Sequence, residues 1–345
     1  MSISFSRYVR TAGLVGACIM TPYLGINAGV VSAETIKAQL GFVPNVPPPI
    51  KRTEPANIVV NLTSDEWTGP LSDDNNYEFW GFNKSVPGPM IRVMVGDTVE
   101  IRLKNSKDSK ESHNIDFHAI TGPGGGASLL NSEPGQESGG KFKMIIPGIF
   151  LYHCATASPS IPEHVANGMY GTIIVEPAGG LKPVEKEFQI TESEFYTKEG
   201  YSKGDTLEFS YENGLDERPS HVVYNGHASS MVKTPLRAKA GETVRIFFTN
   251  PGPNFVDSFQ LLEQPFDRVY TEGSLNAPPA ENVKVAKVPA GGAVVVEFKV
   301  KAGTYTLVDP VQDRQKPGAL GLLKVDGRES RGSSQLGQSQ WPEGL

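Results

Sequence analysis

Between Val95 and Asn105 apolar and charged positions alternate, with Val99, Ile101 and Leu103 set against Glu100, Arg102 and Lys104. That is the period-two pattern of a strand buried on one face. The stretch returns at residues 240–250, where Gly241-Glu242-Thr243-Val244 stands for Gly96-Asp97-Thr98-Val99 and Asn250 for Asn105. Further echoes follow in the same order. Pro147-Gly148-Ile149-Phe150-Leu151-Tyr152 is matched by Ala302-Gly303-Thr304-Tyr305-Thr306-Leu307, and Gly168-Met169-Tyr170-Gly171 by Gly318-Ala319-Leu320-Gly321. Echoes in one order at similar offsets mean an internal duplication, two copies of one β-domain meeting between Pro177 and Pro183. Short apolar runs separated by Gly and Pro put each copy in the all-β class, as a sandwich or barrel.

The 345 residues accommodate two such domains, expected at 56–177 and 178–326. The flanks read differently. Arg7 and Arg10 precede an apolar stretch ending near Met20, and Val31-Ser32-Ala33 is a small-residue exit, so residues 1–33 are expected to be a signal peptide directing export to the periplasm. A competing cut at Val15-Gly16-Ala17-Cys18 would leave Cys18 as a lipidated N-terminus. A buried N-terminal helix is the plainer alternative, and Pro22, Gly25 and Gly29 argue against it. Residues 34–55, with the prolines from Pro44 to Pro49, read as a flexible linker, and 327–345 as a flexible polar tail. No apolar run reaches the roughly 20 residues of a membrane span. A net charge of −6, with no basic patch interleaved with aromatics, gives no basis for nucleic-acid binding.

If Cys18 leaves with the signal, Cys154 is the one cysteine left, in a compartment where cysteines pair. A buried inert thiol is the ordinary explanation; its neighbours suggest another. Four of the six histidines lie between 113 and 164, in the first copy only. Each histidine alone is more often a surface or hydrogen-bonded residue than a ligand, but together His113, Cys154, His164 and Met169 supply two imidazoles, a thiolate and a thioether. Type 1 (blue) copper uses that mixed set for one-electron transfer. Zinc is the metal alternative, and a single thiolate with a methionine suits it poorly. Successive side chains on a strand point to opposite faces, so His153 and Cys154 serve different sites. His113 pairs with Cys154 inside the domain, and His118 with His153 outside, where Asp116 shares the parity of His118.

His113-Asn114-Ile115-Asp116-Phe117-His118, Tyr152-His153-Cys154-Ala155, residues 164–171 (His-Val-Ala-Asn-Gly-Met-Tyr-Gly) and residues 222–227 (Val-Val-Tyr-Asn-Gly-His) resemble the copper-containing nitrite reductases, from about Ile58 to Asp326. The resemblance implies tandem cupredoxin (Greek-key) domains in a homotrimer. It implies type 1 copper on His113, Cys154, His164 and Met169, fed by a small periplasmic donor (a cupredoxin or a cytochrome c). It further implies a type 2 copper on His118, His153 and a histidine of a neighbouring subunit, where nitrite becomes nitric oxide with Asp116 donating protons. Two positions depart from the family. Leu307-Val308-Asp309-Pro310 has proline where the family carries the third type 2 histidine, and Ser258-Phe259-Gln260 has glutamine in place of the second catalytic histidine. Asp309, Asp313, His221 and His227 are the candidates to stand in for a lost ligand. The segment from Val311 to Lys316 is also more polar than a subunit interface of that kind calls for. Three functions remain open at this point: a nitrite reductase with an altered second site, a non-catalytic type 1 copper electron-transfer protein, and a copper enzyme for another small molecule such as oxygen or hydroxylamine. No Cys-x-x-Cys-His haem motif is present.

Overall fold

A computed structural model describes residues 35–311, 314–315 and 318–327. The expected export segment with Cys18, the tail beyond residue 327 and Asp313 lie outside them. The described residues build two sandwiches, each of two sheets. In the first, Asn57–Pro70 runs parallel to Thr98–Asn105 and antiparallel to Asn76–Phe82, and Glu137–Lys143 closes that sheet. The facing sheet holds Ile91–Met94, Tyr170–Glu176, Gly148–His153 and Asp116–Phe117, in that order. Thr98–Asn105 buries Val99, Ile101 and Leu103 and turns Arg102 and Lys104 to solvent, as its alternation requires.

In the second sandwich, Lys186–Phe195, Thr243–Asn250, Gly292–Lys299 and Phe266–Tyr270 face a sheet containing Leu320–Asp326, Gly303–Val308 and Asp257–Leu261. Phe248, Phe259 and Phe266 stack through its core, with centroids 4.3 and 5.6 Å apart. Register repeats between the copies. His153 lies opposite Tyr170 and Val308 opposite Leu320, while Asp116 lies opposite His153 and Gln260 opposite Val308.

Three features depart from a simple tandem. Thr243–Asn250 is buried along both faces, because Val244, Ile246 and Phe248 fill its own core while Phe247 packs on Ile149 and Ile174 of the first sandwich. Arg245 is buried by the same stacking and extends a chain of ion pairs across the junction: Glu187 lies 2.7 Å from Arg245 and 2.6 Å from Arg92. Thr206–Leu207, from the second half, pairs in parallel with Asn76 and Tyr77 of the first, so the halves interlock. Residues 35–55, expected as a flexible linker, instead line the first sandwich. Thr35–Lys37 pairs with Asn57–Pro70, Gly41 bridges Met90, Pro47 accepts a hydrogen bond from Arg92 at 2.9 Å, and Arg52 pairs with Asp97. Prolines suit such a wrapping segment, since they bring no N–H that must find a partner.

Candidate metal centre

Gly148–His153 delivers His153 and then Cys154 to the end of the first sandwich. Both neighbours are held by backbone bonds: Cys154 N–H donates to the Met169 carbonyl at 3.0 Å, and Met169 N–H to the His164 carbonyl at 3.1 Å. His164 comes from the short helix Ile161–Ala166, whose Ser160 side chain caps the Glu163 amide and whose first turn holds Pro162. The chain then reverses at Gly168, with φ of +114°, where a Cβ would stand 2.6 Å from Val86 and 2.8 Å from the Trp80 carbonyl. Only glycine permits that return, which brings the Met169 amide back to the His164 carbonyl.

His113, Cys154 and His164 are fully buried, and their potential ligand atoms lie within 4.8 Å of one another. The hydrogen bonds set both imidazole tautomers. His113 Nε2 donates to Glu66 Oε1 at 3.2 Å, leaving Nδ1 as a lone pair 3.9 Å from Cys154 Sγ. His164 Nε2 donates to the Ser158 carbonyl at 2.9 Å, and its buried Nδ1 has no hydrogen-bond partner among the described residues. Burial alone pushes the Cys154 thiol up; the His164 ring, then Thr156 and the Asn114 amide, outweigh it and hold the thiol below its ordinary value. Asn114 also ties the loop together, its Oδ1 accepting from Ala155 N–H at 2.7 Å. Trp80 closes the pocket against water, its ring centroid 5.0 Å from His164 and 5.9 Å from His113. Met169 is fully buried in the same core cluster as Cys154.

On the opposite face of the strand His153 meets His118, Nε2 to Nε2, at 3.0 Å. His153 Nδ1 donates to the carbonyl of Cys154 at 3.0 Å, so its Nε2 carries the lone pair that faces His118. His118 is positioned by its own N–H on the Leu151 carbonyl, and Gly291 of the second sandwich lies against its ring. Asp116 lies directly across the strand pair from His153. Its Oδ1 is cupped by the turn Pro123–Gly126, where a Cβ on Gly125, at φ of +49°, would fall 1.9 Å from that oxygen. No third His, Cys, Asp or Glu joins His118 and His153 among the described residues.

The candidates to complete that pair lie elsewhere. Asp309 is fully buried and bonded to Arg314 at 2.6 Å. His221 bonds Ser220 at 2.9 Å and His227 accepts from Ser229 N–H at 3.1 Å, both at the edge of the second sandwich. Gln260 is half-buried and Pro310 exposed, at the positions that correspond in register to Asp116 and Ala155. Glu66, Asn114 and Gly125 were not singled out from sequence. Asn114 and Gly125 were open to it, one beside His113 and the other in the run Gly124-Gly125-Gly126, whereas Glu66 is brought to His113 only by the pairing of distant strands.

Two cupredoxin sandwiches in tandem, the first with a buried His-Cys-His-Met pocket, define a two-domain cupredoxin. Residues 66–179 match the family model described as multicopper oxidase. The chain is 46% identical over 300 residues to the copper-containing nitrite reductase of Neisseria gonorrhoeae, covering 86% of this chain and 75% of that one. It is 32% identical over 345 residues to the enzyme of Pseudomonas chlororaphis, covering 94% of each. The copper nitrite reductase of Nitrosomonas europaea superimposes with a TM-score of 0.70 at 30% identity, over 78% of this chain and 94% of that one. The copper-containing nitrite reductase from Thermus scotoductus SA-01 also gives 0.70, at 27% identity, over 79% of this chain and 62% of that one. The chain belongs to the copper-containing nitrite reductase family.

Proposed function

We propose that the protein is a copper redox protein that holds type 1 copper on His113, Cys154, His164 and Met169 and delivers single electrons to its outer His118–His153 face. The observation that carries this reading is the buried Nδ1 of His164, unpartnered among the described residues and grouped with His113 beside a thiol held below its ordinary pKa. Two nitrogens, one sulfur and a thioether in a dry pocket suit copper better than zinc or a hard cation. Bound there, copper supplies one-electron oxidation and reduction. The peptide joining Cys154 to His153 is the shortest covalent route from the buried pocket to the outer face. Glu66 and Ser158 hold the two imidazoles in the ligating tautomer, and Trp80 keeps water out.

At the outer face the two Nε2 atoms, 3.0 Å apart, are close enough to face one type 2 ion. Asp116 beside them is the group to hydrogen-bond nitrite and donate a proton as it is reduced to nitric oxide. The assembly is a homotrimer, exported to the periplasm by residues 1–33 or anchored through Cys18, and a small copper protein or cytochrome c supplies the electrons. Gln260 leaves proton delivery to Asp116 alone, and general acid–base assistance is typically worth about 100- to 10,000-fold, so turnover is slow. A second reading, electron transfer without turnover, is favoured specifically by Pro310, which offers no ligand atom. Metal analysis of copper-loaded protein together with a nitrite assay using an artificial donor separates the two. Two coppers per chain with nitric oxide formation support the reductase; one copper and no turnover support the electron carrier. Gln260→His with Pro310→His is expected to raise turnover, and no rise would show that these positions are not what limits it.

A further inference from the structure

The second sandwich keeps the backbone of the first one's metal pocket and furnishes it with different chemistry. The amide of Asp309 donates to the Ala319 carbonyl at 3.3 Å, and that of Ala319 to the Arg314 carbonyl at 3.1 Å. These repeat the bonds of Cys154 to Met169 and of Met169 to His164. The strand register likewise puts Asp257 where His113 stands, three residues before the position facing Val308 in one copy and His153 in the other. Asp257, Asp309, Arg314 and Ala319 thus replace His113, Cys154, His164 and Met169.

Glu192 joins them from Lys186–Phe195. It, Asp257 and Asp309 are at most 1% exposed, with ligand oxygens within 4.8 Å of one another. Arg314 is the cation among them, 2.6 Å from Asp309 Oδ2 and 3.5 Å from Asp257 Oδ1. Asp309 is further satisfied by the amides of Ser258 and Val311. Both oxygens of Glu192 and Oδ2 of Asp257 have no hydrogen-bond partner among the described residues. Tyr224 adds an independent sign. It lies directly opposite Glu192 in an antiparallel pair, so the two side chains share a face, and its fully buried hydroxyl is also unpartnered among the described residues. Three carboxylates against one guanidinium leave a formal charge of −2 in a dry interior, where uncompensated charge is costly.

We propose that this pocket of the second sandwich binds one divalent, oxygen-seeking cation of the calcium or manganese class, ligated by Glu192, Asp257 and Asp309 with the Tyr224 hydroxyl beside it. An all-oxygen donor set selects such ions over copper, which wants nitrogen and sulfur. One divalent charge balances the cluster, and Arg314, partly exposed at the mouth, occupies the place of the copper-ligating histidine.

The test uses the full chain, stripped with chelator and then loaded with copper so that the first pocket is filled. Terbium, a luminescent stand-in for calcium, is titrated in with excitation of tyrosine, and calcium and manganese are used as competitors. The expected result is one saturable site per chain, terbium emission that calcium displaces, a higher melting temperature with calcium, and an unchanged copper spectrum. Glu192→Gln and Asp257→Asn should each weaken binding at least about tenfold, since each removes one of three carboxylate ligands. Tyr224→Phe, which alters no charge, should weaken calcium binding less than either carboxylate variant and lose most of the sensitised emission. No saturable binding and no calcium-dependent change in melting would overturn the proposal and leave two protons as the balancing charges. Binding unaffected in Glu192→Gln would place the ion on surface carboxylates and overturn it equally. Should Glu192→Gln fail to fold, wild-type stoichiometry and the Tyr224→Phe emission still decide.

Discussion

Replacing Glu187 with glutamine strips the one carboxylate that bonds to both buried arginines at the junction. Glu187 lies 2.6 Å from Arg92 of the first sandwich and 2.7 Å from Arg245 of the second, whose side chains are 2% and 3% exposed. Each arginine keeps one further carboxylate, Glu176 and Glu297 respectively. The amide can still accept a hydrogen bond, but both buried guanidinia lose the negative charge they share. Breaking a buried ion pair from one side costs about 3–5 kcal/mol, and the retained amide acceptor argues for the lower end, about 3 kcal/mol. At roughly 2–4 °C per kcal/mol for a chain of this order of size, the melting temperature should fall by about 6–12 °C. The two sandwiches should also melt less cooperatively, because the lost charge is the link between them. Calorimetry of the wild type and Glu187→Gln measures this. A fall of less than about 2 °C with one sharp transition would show that the bridge does not couple the two halves.

Glu66→Gln keeps an acceptor for His113 but removes the charge behind that ligand, and changes to such outer partners cost about 10- to 100-fold in metal affinity. A copper competition titration reads this, with an unchanged melting temperature of the copper-free protein separating it from misfolding. Phe259→Ala opens the stacked core of the second sandwich and should cost about 3–5 kcal/mol in urea unfolding, with little effect on the visible copper spectrum, since the first pocket is built without it. Burial holds Glu192 and Asp257 well above the carboxylate range. In chelator, their contribution to stability is therefore complete below that range and lost as pH rises through the raised values. Glu192→Gln should flatten that limb of the melting-temperature profile against pH, and an unchanged slope would contradict the assignment.

The duplication was legible because the two copies keep local signals, a turn before each repeated strand and the same apolar rhythm after it. The parity of His153 and Cys154 likewise predicted side chains on opposite faces, and the structure buries Cys154 and leaves His153 half-buried. What sequence did not show depends on packing between distant segments. Arg245 looks like the exposed position of an alternating strand and is buried only because the first sandwich covers its outer face. The prolines of residues 44–49 look like a free connector until Gln189 and Arg92 donate to the carbonyls of Pro44 and Pro47. The acidic pocket was half visible, since aligning Pro147–Tyr152 with Ala302–Leu307 already sets Asp309 against Cys154. Glu192 and Tyr224 enter it only through the pairing of Lys186–Phe195 with His221–Tyr224.

The central claim is that Cys154, with His113, His164 and Met169, forms a copper centre that stands complete in one chain. Copper titration followed by visible absorption tests it most directly. One equivalent should produce the intense thiolate-to-copper band, Cys154→Ala should abolish it, and His118→Ala should leave it unchanged. A band that survives Cys154→Ala, or copper bound to the wild type without that band, would contradict the account.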